Sequence, residues 1–220
     1  MNPDKQTIRA AFIDVDGTLI EGTTCERQLL RYLLAKGKLK FSSIMLSAVR
    51  LLPDVLRSRF SSIRSYKRYW RGISEKELRL LLPDFFEQRI HSRLRPTLLS
   101  ELSTLREKGY TLVLLSGTPL PILEELGKRL GIDILIGTEL EVNSGFYTGK
   151  VIGIHPYGER KLQALQRAGF YDRLDLSNST AYCDSWHDRF LLEVVGKPVT
   201  VCPDSRLSRL AVGRGWRIIT

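Results

Sequence analysis

The stretch that decides the fold is Ala11-Phe12-Ile13-Asp14-Val15-Asp16-Gly17-Thr18-Leu19-Ile20. An apolar run, typical of a buried strand, ends here in two aspartates one residue apart, and a Gly-Thr turn follows. A turn at Gly17 would let Asp14 and Asp16 converge on a pocket beyond the carboxyl end of the strand, where open α/β sheets bind their ligands. Asp-Gly-Thr is also ordinary turn chemistry, so a purely structural interpretation of this stretch stays open.

Beyond residue 96, helical and extended patterns alternate along the chain. Extended runs are predicted at 110–115, 134–136, 179–183, 198–202 and 216–219, with helices at 96–108, 119–130, 159–168, 187–195 and 205–213. Asn143-Ser144-Gly145 is a turn signal that predicts a β-hairpin over 139–153. With a first strand over 7–15, the pattern predicts an α/β fold: a Rossmann-like parallel sheet with helices on both faces and a small β-hairpin.

Residues 22–95 have a different, helical pattern. Helices are predicted from about Thr24 to a stop at Gly37, at 41–52 and at 55–70, and Ser74-Glu75-Lys76-Glu77 resembles a capping box that opens a fourth helix. We therefore expect an all-helical insert over 22–95, between the two parts of a core formed by 1–21 and 96–220.

The positive charge of the chain is concentrated in this insert. The net charge is +10 over 220 residues, and residues 22–95 hold 17 Lys/Arg against 6 Asp/Glu, while the remainder holds 17 against 18. This asymmetry predicts a module that faces an anionic partner. One helix face of the insert is apolar with basic flanks: Phe41, Ile44, Met45, Ala48, Leu51 and Leu52, beside Lys38, Lys40, Arg50, Arg57 and Arg59.

That face has two interpretations. It packs within the insert's own helices, or it rests on an anionic membrane surface as an interfacial helix. Nucleic-acid binding is disfavoured because no recognised binding module is present. The sequence leaves the oligomeric state undetermined.

The composition and the cysteines predict a cytoplasmic protein. The chain is 43% hydrophobic and 26% charged, its first residues do not resemble a signal peptide, and no apolar run is long enough to span a bilayer. Cys25, Cys183 and Cys202 are odd in number and lack metal-ligand spacing. We expect reduced cysteines that behave as small buried apolar residues.

Polar groups recur where the predicted strands end or helices begin. The carboxylates are Asp14, Asp16, Asp184 and Asp188. Clustered carboxylates repel one another unless a cation neutralises them, and oxygen ligands with few histidines suit Mg²⁺. Ser116 and the amides of the following helix offer hydrogen bonds to an anion, and Lys161 offers a fixed positive charge. Together they predict a site for phosphoryl transfer, although a helix cap at Ser116 or a solvated Lys161 would leave the same pattern.

Four motifs resemble those of the haloacid dehalogenase superfamily. They are Asp-Val-Asp-Gly-Thr-Leu (14–19), Leu-Leu-Ser-Gly-Thr (114–118), Lys161 after Gly158-Glu159-Arg160, and Cys-Asp-Ser-x-x-Asp (183–188). The match keeps the order of the motifs and spans the whole chain. A helical insert directly after the first motif resembles the cap of the phosphoserine phosphatase-like branch.

The resemblance implies a Mg²⁺-dependent phosphatase. Asp14 would attack phosphorus to form an aspartyl-phosphate, and Asp16 would protonate the leaving oxygen and then activate water. The metal would be bound by the side chains of Asp14 and Asp184 and by the backbone carbonyl of Asp16.

The resemblance also implies the remaining roles. Asp188 would position water and Lys161, while Ser116 and Lys161 hold the phosphoryl oxygens. Gly17, Thr18 and Gly117 complete the predicted set for binding phosphate and substrate. His187 lies beside these motifs, and we interpret it as an exposed residue in the first turn of a helix.

The substrate is less defined than the chemistry. Phosphoserine phosphatases carry Asp-x-Asp-Ser-Thr and, soon after, a glutamate that faces the substrate amine. This chain has Gly17 instead, and Thr23 stands where that glutamate would be, so phosphoserine is disfavoured. A small phosphorylated metabolite and a lipid headgroup such as phosphatidylglycerol phosphate stay open. A binding protein without activity is a further alternative, which the intact Asp14 and Asp16 disfavour.

Overall fold

The computed structural model describes residues 7–38 and 67–220. Its strands are β1 (Ala10–Ile13), β2 (Thr111–Pro119), β3 (Ile134–Asn143), β4 (Phe146–Ile152), β5 (Thr180–Cys183), β6 (Lys197–Val201) and β7 (Arg217–Ile219). They form one sheet in the order β4-β3-β2-β1-β5-β6-β7. Neighbouring strands are parallel except β3 and β4, which form an antiparallel hairpin. The predicted α/β fold with a Rossmann-like parallel sheet and a β-hairpin is confirmed.

Helices cover both faces of this sheet. They are α1 (Cys25–Ala35), α2 (Glu75–Phe85), α3 (Pro96–Glu107), α4 (Leu120–Leu130), α5 (Glu159–Gln166), α6 (Arg189–Leu192) and α7 (Ser205–Arg214). Because strand side chains alternate, Ala11 and Ile13 pack with side chains of α1 to α4, and Ala10 and Phe12 pack with those of α5 to α7. β1 is therefore buried on both faces, as its continuous apolar sequence predicts.

The position of β1 determines where a ligand can bind. The strands β2, β3 and β4 lie on one side of β1, and β5, β6 and β7 lie on the other. The strand order therefore reverses at β1, and a crevice opens at the carboxyl ends of β1, β2 and β5. Asp14 follows β1, Ser116 lies near the end of β2, and Asp184 follows β5.

Several element boundaries differ from the predicted ones. The second strand continues to Pro119, with a register shift against β3 between Leu115 and Pro119. The predicted strand at 134–136 and the first arm of the hairpin form the single strand β3. The helix predicted at 187–195 is a 3₁₀ turn at Trp186–Asp188 followed by the four-residue α6. After α6, the Gly196 amide donates to the Leu176 carbonyl at 2.8 Å, just before β6 begins at Lys197.

The described part of the insert contains the predicted first and last helices. Thr24 caps α1 by accepting from the Arg27 amide, and Ser74 caps α2 by accepting from the Glu77 amide. The helix predicted at 41–52, most of the one at 55–70 and, except for Lys38, the apolar face with basic flanks lie outside the described residues. The extent of the insert, 22–95, stays a prediction.

Residues 71–74 connect the helix predicted at 55–70 to α2, and Ser74 forms an antiparallel bridge with Phe146 of β4. They lie along the outer edge of β4, where an edge strand presents unpaired backbone groups. The Gly72 amide donates to the Tyr147 carbonyl at 2.9 Å, the Tyr147 amide donates to the Ile73 carbonyl at 3.0 Å, and the Glu75 amide donates to the Gly145 carbonyl at 3.0 Å. The hairpin therefore holds the base of α2.

Side chains reinforce this attachment. Trp70 is buried and packs edge-on against Tyr147 with ring centroids 5.1 Å apart. Leu29 of α1 and Leu78 of α2 belong to the same apolar cluster as Ile13 of β1. The described residues of the insert and of the sheet thus share one hydrophobic core.

The structure tests two further expectations, the burial of the cysteines and the absence of a membrane-spanning helix. Cys25 and Cys183 are buried as expected, but Cys202 is exposed, so the expectation is wrong for this residue. Cys202 sits at a tight bend after β6 with a φ of 41°. Among residues 7–38 and 67–220, none of the helices has the length and apolarity needed to cross a bilayer.

Candidate active site

A tight turn after β1 places the first two aspartates. The Asp14 amide continues the sheet by donating to the Tyr182 carbonyl at 3.0 Å, and then the Ile20 amide closes the turn by donating to the Val15 carbonyl at 2.9 Å. Gly17 has a φ of +94°, which favours glycine. Arg95 supports the turn from outside, because its Nε donates to the Thr18 carbonyl at 3.1 Å.

Lys161 lies at the centre of the site. Its Nζ is 2.8 Å from Asp14 Oδ1 and 2.8 Å from Asp188 Oδ2, and its side chain is 2% exposed. Burial lowers the pKa of Lys161, but the two carboxylates raise it more, so the net pKa lies above its usual value. The ammonium is therefore a fixed positive charge next to Asp14.

Asp16 is held between the start of α1 and the end of β2. Its Oδ1 accepts from the Cys25 amide at 2.8 Å, and its Oδ2 accepts from Thr118 Oγ1 at 3.1 Å. Thr118 Oγ1 lies 3.1 Å from Ser116 Oγ. Burial raises the pKa of Asp16 to about 6, although the Cys25 amide opposes this shift. A carboxyl group with such a pKa can donate and accept a proton near neutral pH.

The other two carboxyl groups lie opposite, after β5. Thr18 Oγ1 is 3.0 Å from Asp184 Oδ1. Burial, and then the charge of Asp14, raise the pKa of Asp184 to about 7. Burial likewise raises the pKa of Asp188 to about 6, against the effect of Lys161.

The donor set fits a divalent cation. Ligand oxygens of Asp14, Asp184 and Asp188 lie within 4.8 Å of one another. Together with Asp16 these are four carboxyl groups against the single ammonium of Lys161, and the raised pKa values show that the cluster disfavours its full negative charge. Carboxylate oxygens are the ligands that Mg²⁺ prefers. The cluster contains Asp14 and Asp184 of the predicted metal set, and Asp188 in addition.

Of the predicted site residues, Ser116, Gly117 and Lys161 line the same cavity as the carboxylates, whereas Gly17 and Thr18 do not. A cavity of about 660 Å³ is lined by Asp14, Asp16, Ser116, Gly117, Lys161, Asp184 and Asp188, among others. Gly17 and Thr18 lie against Asp184, since a Cβ at Gly17 would be 2.2 Å from Asp184 Oδ2. Their predicted phosphate contacts stay a prediction, as do the catalytic roles of the whole set.

The cavity also contains residues that the sequence motifs do not indicate. From the insert come Thr24, Glu26, Lys67 and Tyr69, and from the segment between β4 and α5 come His155 and Tyr157. Lys67 and Glu26 form an ion pair that is largely buried. Thr118, within the second motif, contacts Asp16 directly. His187 is exposed, as expected, but it lies at the cavity in contact with the Tyr157 ring.

Comparisons with known proteins agree with this geometry. The family described as haloacid dehalogenase-like hydrolase matches residues 11–193, and the chain belongs to that family. It is 29% identical to the phosphoserine phosphatase SerB1 of Mycobacterium tuberculosis, over 95% of this chain and 70% of that protein. It is 27% identical to a histidinol-phosphatase of Neisseria meningitidis, over 95% of this chain and 97% of that protein.

A solved structure shows the same fold. The apo form of a phosphoserine phosphatase superposes with a TM-score of 0.66 and 16% identity, covering 96% of this chain and 93% of that one. Family, fold and relatives therefore define a hydrolase of the phosphoserine phosphatase-like branch. More particularly, it is a phosphoric monoester hydrolase.

Proposed function

We propose that this protein is a Mg²⁺-dependent phosphatase that hydrolyses a phosphomonoester through an aspartyl-phosphate on Asp14. The observation that carries the proposal is the pairing of two different carboxyl groups in one cavity. Asp14 is held by the Lys161 ammonium at 2.8 Å, whereas Asp16 has a pKa of about 6. One group is suited to act as an anionic nucleophile and the other as an acid.

The reaction has two steps, formation of the aspartyl-phosphate and its hydrolysis. A carboxylate oxygen of Asp14 attacks phosphorus, the bond from phosphorus to the ester oxygen breaks, and Asp16 gives its proton to the leaving alkoxide. Asp16, now ionised, then takes a proton from water as the water oxygen attacks the phosphoryl group. The bond to Asp14 breaks, and inorganic phosphate leaves. Lys161 holds Asp14 in place, and Ser116 lies beside Asp16 as a donor to the phosphoryl oxygens.

A bound Mg²⁺, held by Asp14 and Asp184 with the Asp16 carbonyl as a further candidate ligand, would offset the negative charge of the cluster and of the phosphoryl group. Asp188 remains paired with Lys161 in this scheme. The fit rests on the carboxylate cluster and on the carboxyl pKa values that burial and mutual repulsion raise.

The substrate belongs to the small phosphomonoesters that a cavity of about 660 Å³ can hold. Phosphoserine and histidinol phosphate enter as candidates through the names of two relatives. Glu26 does not supply a free carboxylate for an amine, because it accepts from Lys67, Tyr69 and Trp70. With a soluble metabolite as substrate, the protein would act in the cytoplasm. With a lipid headgroup as substrate, it would act at a membrane surface.

The test is hydrolysis of a panel of esters by the wild type and Asp14→Asn, with and without Mg²⁺. The panel contains phosphoserine, histidinol phosphate, a polyol phosphate, and phosphatidylglycerol phosphate in mixed micelles. We expect Mg²⁺-dependent turnover that falls by at least about 10³-fold in Asp14→Asn, because the nucleophile is lost. Absence of turnover on every ester by a folded wild type would support an inactive binding protein instead.

A further inference from the structure

Three aromatic rings that adjoin one another line the cavity, and we call them the His155–Tyr157–His187 stack. The rings of His155 and Tyr157 are nearly parallel, at 12°, with centroids 6.2 Å apart. The ring of Tyr157 also contacts that of His187, with centroids 5.2 Å apart and the ring planes tilted by 40°. His155 is 5% exposed, Tyr157 is half-buried and His187 is exposed. The stack therefore runs from the buried part of the cavity to its mouth.

The inner ring, His155, is fixed against Gly117 in β2. Thr138 Oγ1 is 2.6 Å from the Gly117 carbonyl and 2.7 Å from His155 Nδ1. A hydroxyl has one proton and the carbonyl can only accept, so Thr138 donates to Gly117 and accepts from Nδ1–H of His155. The imidazole packs on Gly117, where an added Cβ would be 2.8 Å from its Cε1.

The middle ring is fixed by the backbone that leads to Lys161. The Tyr157 amide donates to the His155 carbonyl at 2.9 Å across Pro156, a tight turn that the fixed φ of proline favours. Gly158 follows with a φ of +58°, and an added Cβ would be 3.4 Å from the His187 carbonyl. The Lys161 amide donates to the Gly158 carbonyl at 2.9 Å. Two of the three rings, His155 and Tyr157, and Lys161 thus belong to one short segment.

The insert adds another ring to the cavity, and the two charged residues that it places there are paired with each other. Glu26 accepts from Lys67, from the Tyr69 hydroxyl and from Trp70 Nε1. Because Glu26 and Lys67 neutralise each other, the insert contributes mainly the ring of Tyr69 to this part of the cavity. A leaving group that extends from the carboxylates therefore shares the cavity with the three rings of the stack and with the ring of Tyr69.

We propose that the His155–Tyr157–His187 stack is a leaving-group subsite, and that the protein prefers phosphomonoesters of alcohols that carry an aromatic or heteroaromatic ring. This proposal rests on the phosphatase function and adds the class of alcohol. A flat ring bound on the stack would gain contact area and the offset or edge-to-face attraction between rings. A saturated ring of equal carbon number would keep the apolar burial but lose that attraction.

The test compares 2-phenylethyl phosphate with 2-cyclohexylethyl phosphate. Both alcohols have the same carbon number and a similar distance from ring to ester oxygen, so the ratio of their kcat/KM values reports mainly the flatness of the ring. A third ester, 2-(imidazol-4-yl)ethyl phosphate, tests a heteroaromatic ring. We expect wild type to favour both flat rings over cyclohexyl by roughly two- to tenfold, the range of single ring–ring contacts.

Three variants test whether the preference for flat rings comes from Tyr157 and His187. Tyr157→Leu removes the middle ring and should bring the ratio close to one, while the matched control Tyr157→Phe keeps the ring and the ratio. His187→Ala removes an exposed ring with little effect on folding and should lower the ratio in part. Binding of the same esters to Asp14→Asn, measured by calorimetry with and without Tyr157→Leu, gives the preference without turnover.

The outcomes separate the two proposals. Equal binding and turnover of flat and saturated rings by wild type would overturn the subsite while leaving the phosphatase intact, and so would a preference that survives Tyr157→Leu. A binding preference that depends on Tyr157, with no turnover of any ester, would support the subsite and contradict the phosphatase function.

Discussion

At the scale of single residues, Gly17 shows how closely the turn after β1 approaches Asp184. We expect Gly17→Ala to lower kcat by about 100-fold or more, because displacement of a reacting group by an ångström can cost this much. The added Cβ would lie 2.2 Å from Asp184 Oδ2, so the carboxylate must move. Steady-state kinetics on the best ester of the panel measure the effect.

The control for this variant is Gly215→Ala. Gly215 has a φ of +65°, and nothing lies within 4 Å of the place that an added Cβ would take, so alanine there adds backbone strain without a collision. Both variants should lose about 1–2 kcal/mol of stability from that strain, whereas only Gly17→Ala should lose activity. Equal activity in the two variants would show that the position of Asp184 is not critical.

The candidate site residues that stand in short motifs could be predicted from the sequence. Asp14, Asp184 and Lys161 each follow a strand or open a helix, so parallel-sheet topology alone brings them to one edge. His155 and Tyr157 were not predicted, because they lie in a connecting segment with no periodicity. Contacts with Gly117 and Thr138 give His155 its place, and Tyr157 follows from the tight turn at Pro156; sequence spacing does not reveal the approach to Gly117 and Thr138.

At the scale of elements, the backbone of β4 at Gly149 lies close to the backbone of Lys67 and Arg68 in the insert. We expect Gly149→Ala to lower the free energy of unfolding by about 1–3 kcal/mol, since a positive φ and backbone contact combine there. The φ is +82°, and an added Cβ would lie 2.9 Å from Arg68 Cα and 3.1 Å from the Lys67 carbonyl. Urea denaturation measures the change.

Gly153→Ala is the matched control, since Gly153 has a φ of +70° with nothing within 4 Å of an added Cβ. Gly149→Ala should be the less stable of the two and should also raise KM, because Lys67 lies at the cavity. If the two variants have the same stability and KM, the hairpin does not position this part of the insert.

The elements themselves were predicted where their pattern is strong and local. The Asn143-Ser144-Gly145 turn and the cap at Ser74 are examples, since each depends on a few neighbouring residues. The pairing of residues 72–75 with the hairpin was not predicted. It joins segments that are distant in sequence, and local sequence patterns do not indicate such a contact.

At the scale of the whole molecule, stability should depend on pH and Mg²⁺ together. Burial raises the pKa of Asp16 and Asp188 to about 6 and that of Asp184 to about 7, from 3.8. Raised carboxyl pKa values favour the folded state below pH 3.8, and this contribution is lost as pH rises through 6 to 7. Without metal, the protein should therefore lose stability between pH 4 and 8.

Mg²⁺ should reverse this loss. At about 100 times its Kd the ion should raise Tm by roughly 5–10 °C at pH 8, and by less at pH 5, where protons compete for the carboxylates. Thermal unfolding with MgCl₂, compared with NaCl at equal ionic strength, measures the gain, and Asp184→Asn should reduce it. The same gain at both pH values, or in Asp184→Asn, would contradict a metal site on these carboxylates.

The attachment of residues 71–75 to the β3–β4 hairpin has a consequence for synthesis on the ribosome. The bonds from Gly72 and Glu75 reach Tyr147 and Gly145, which emerge much later from the exit tunnel. The insert thus completes its contact with the rest of the protein only after the hairpin has been translated. Nascent chains that stop before the hairpin lack the strand edge that fixes this segment, and with it the support that places Lys67 opposite Glu26.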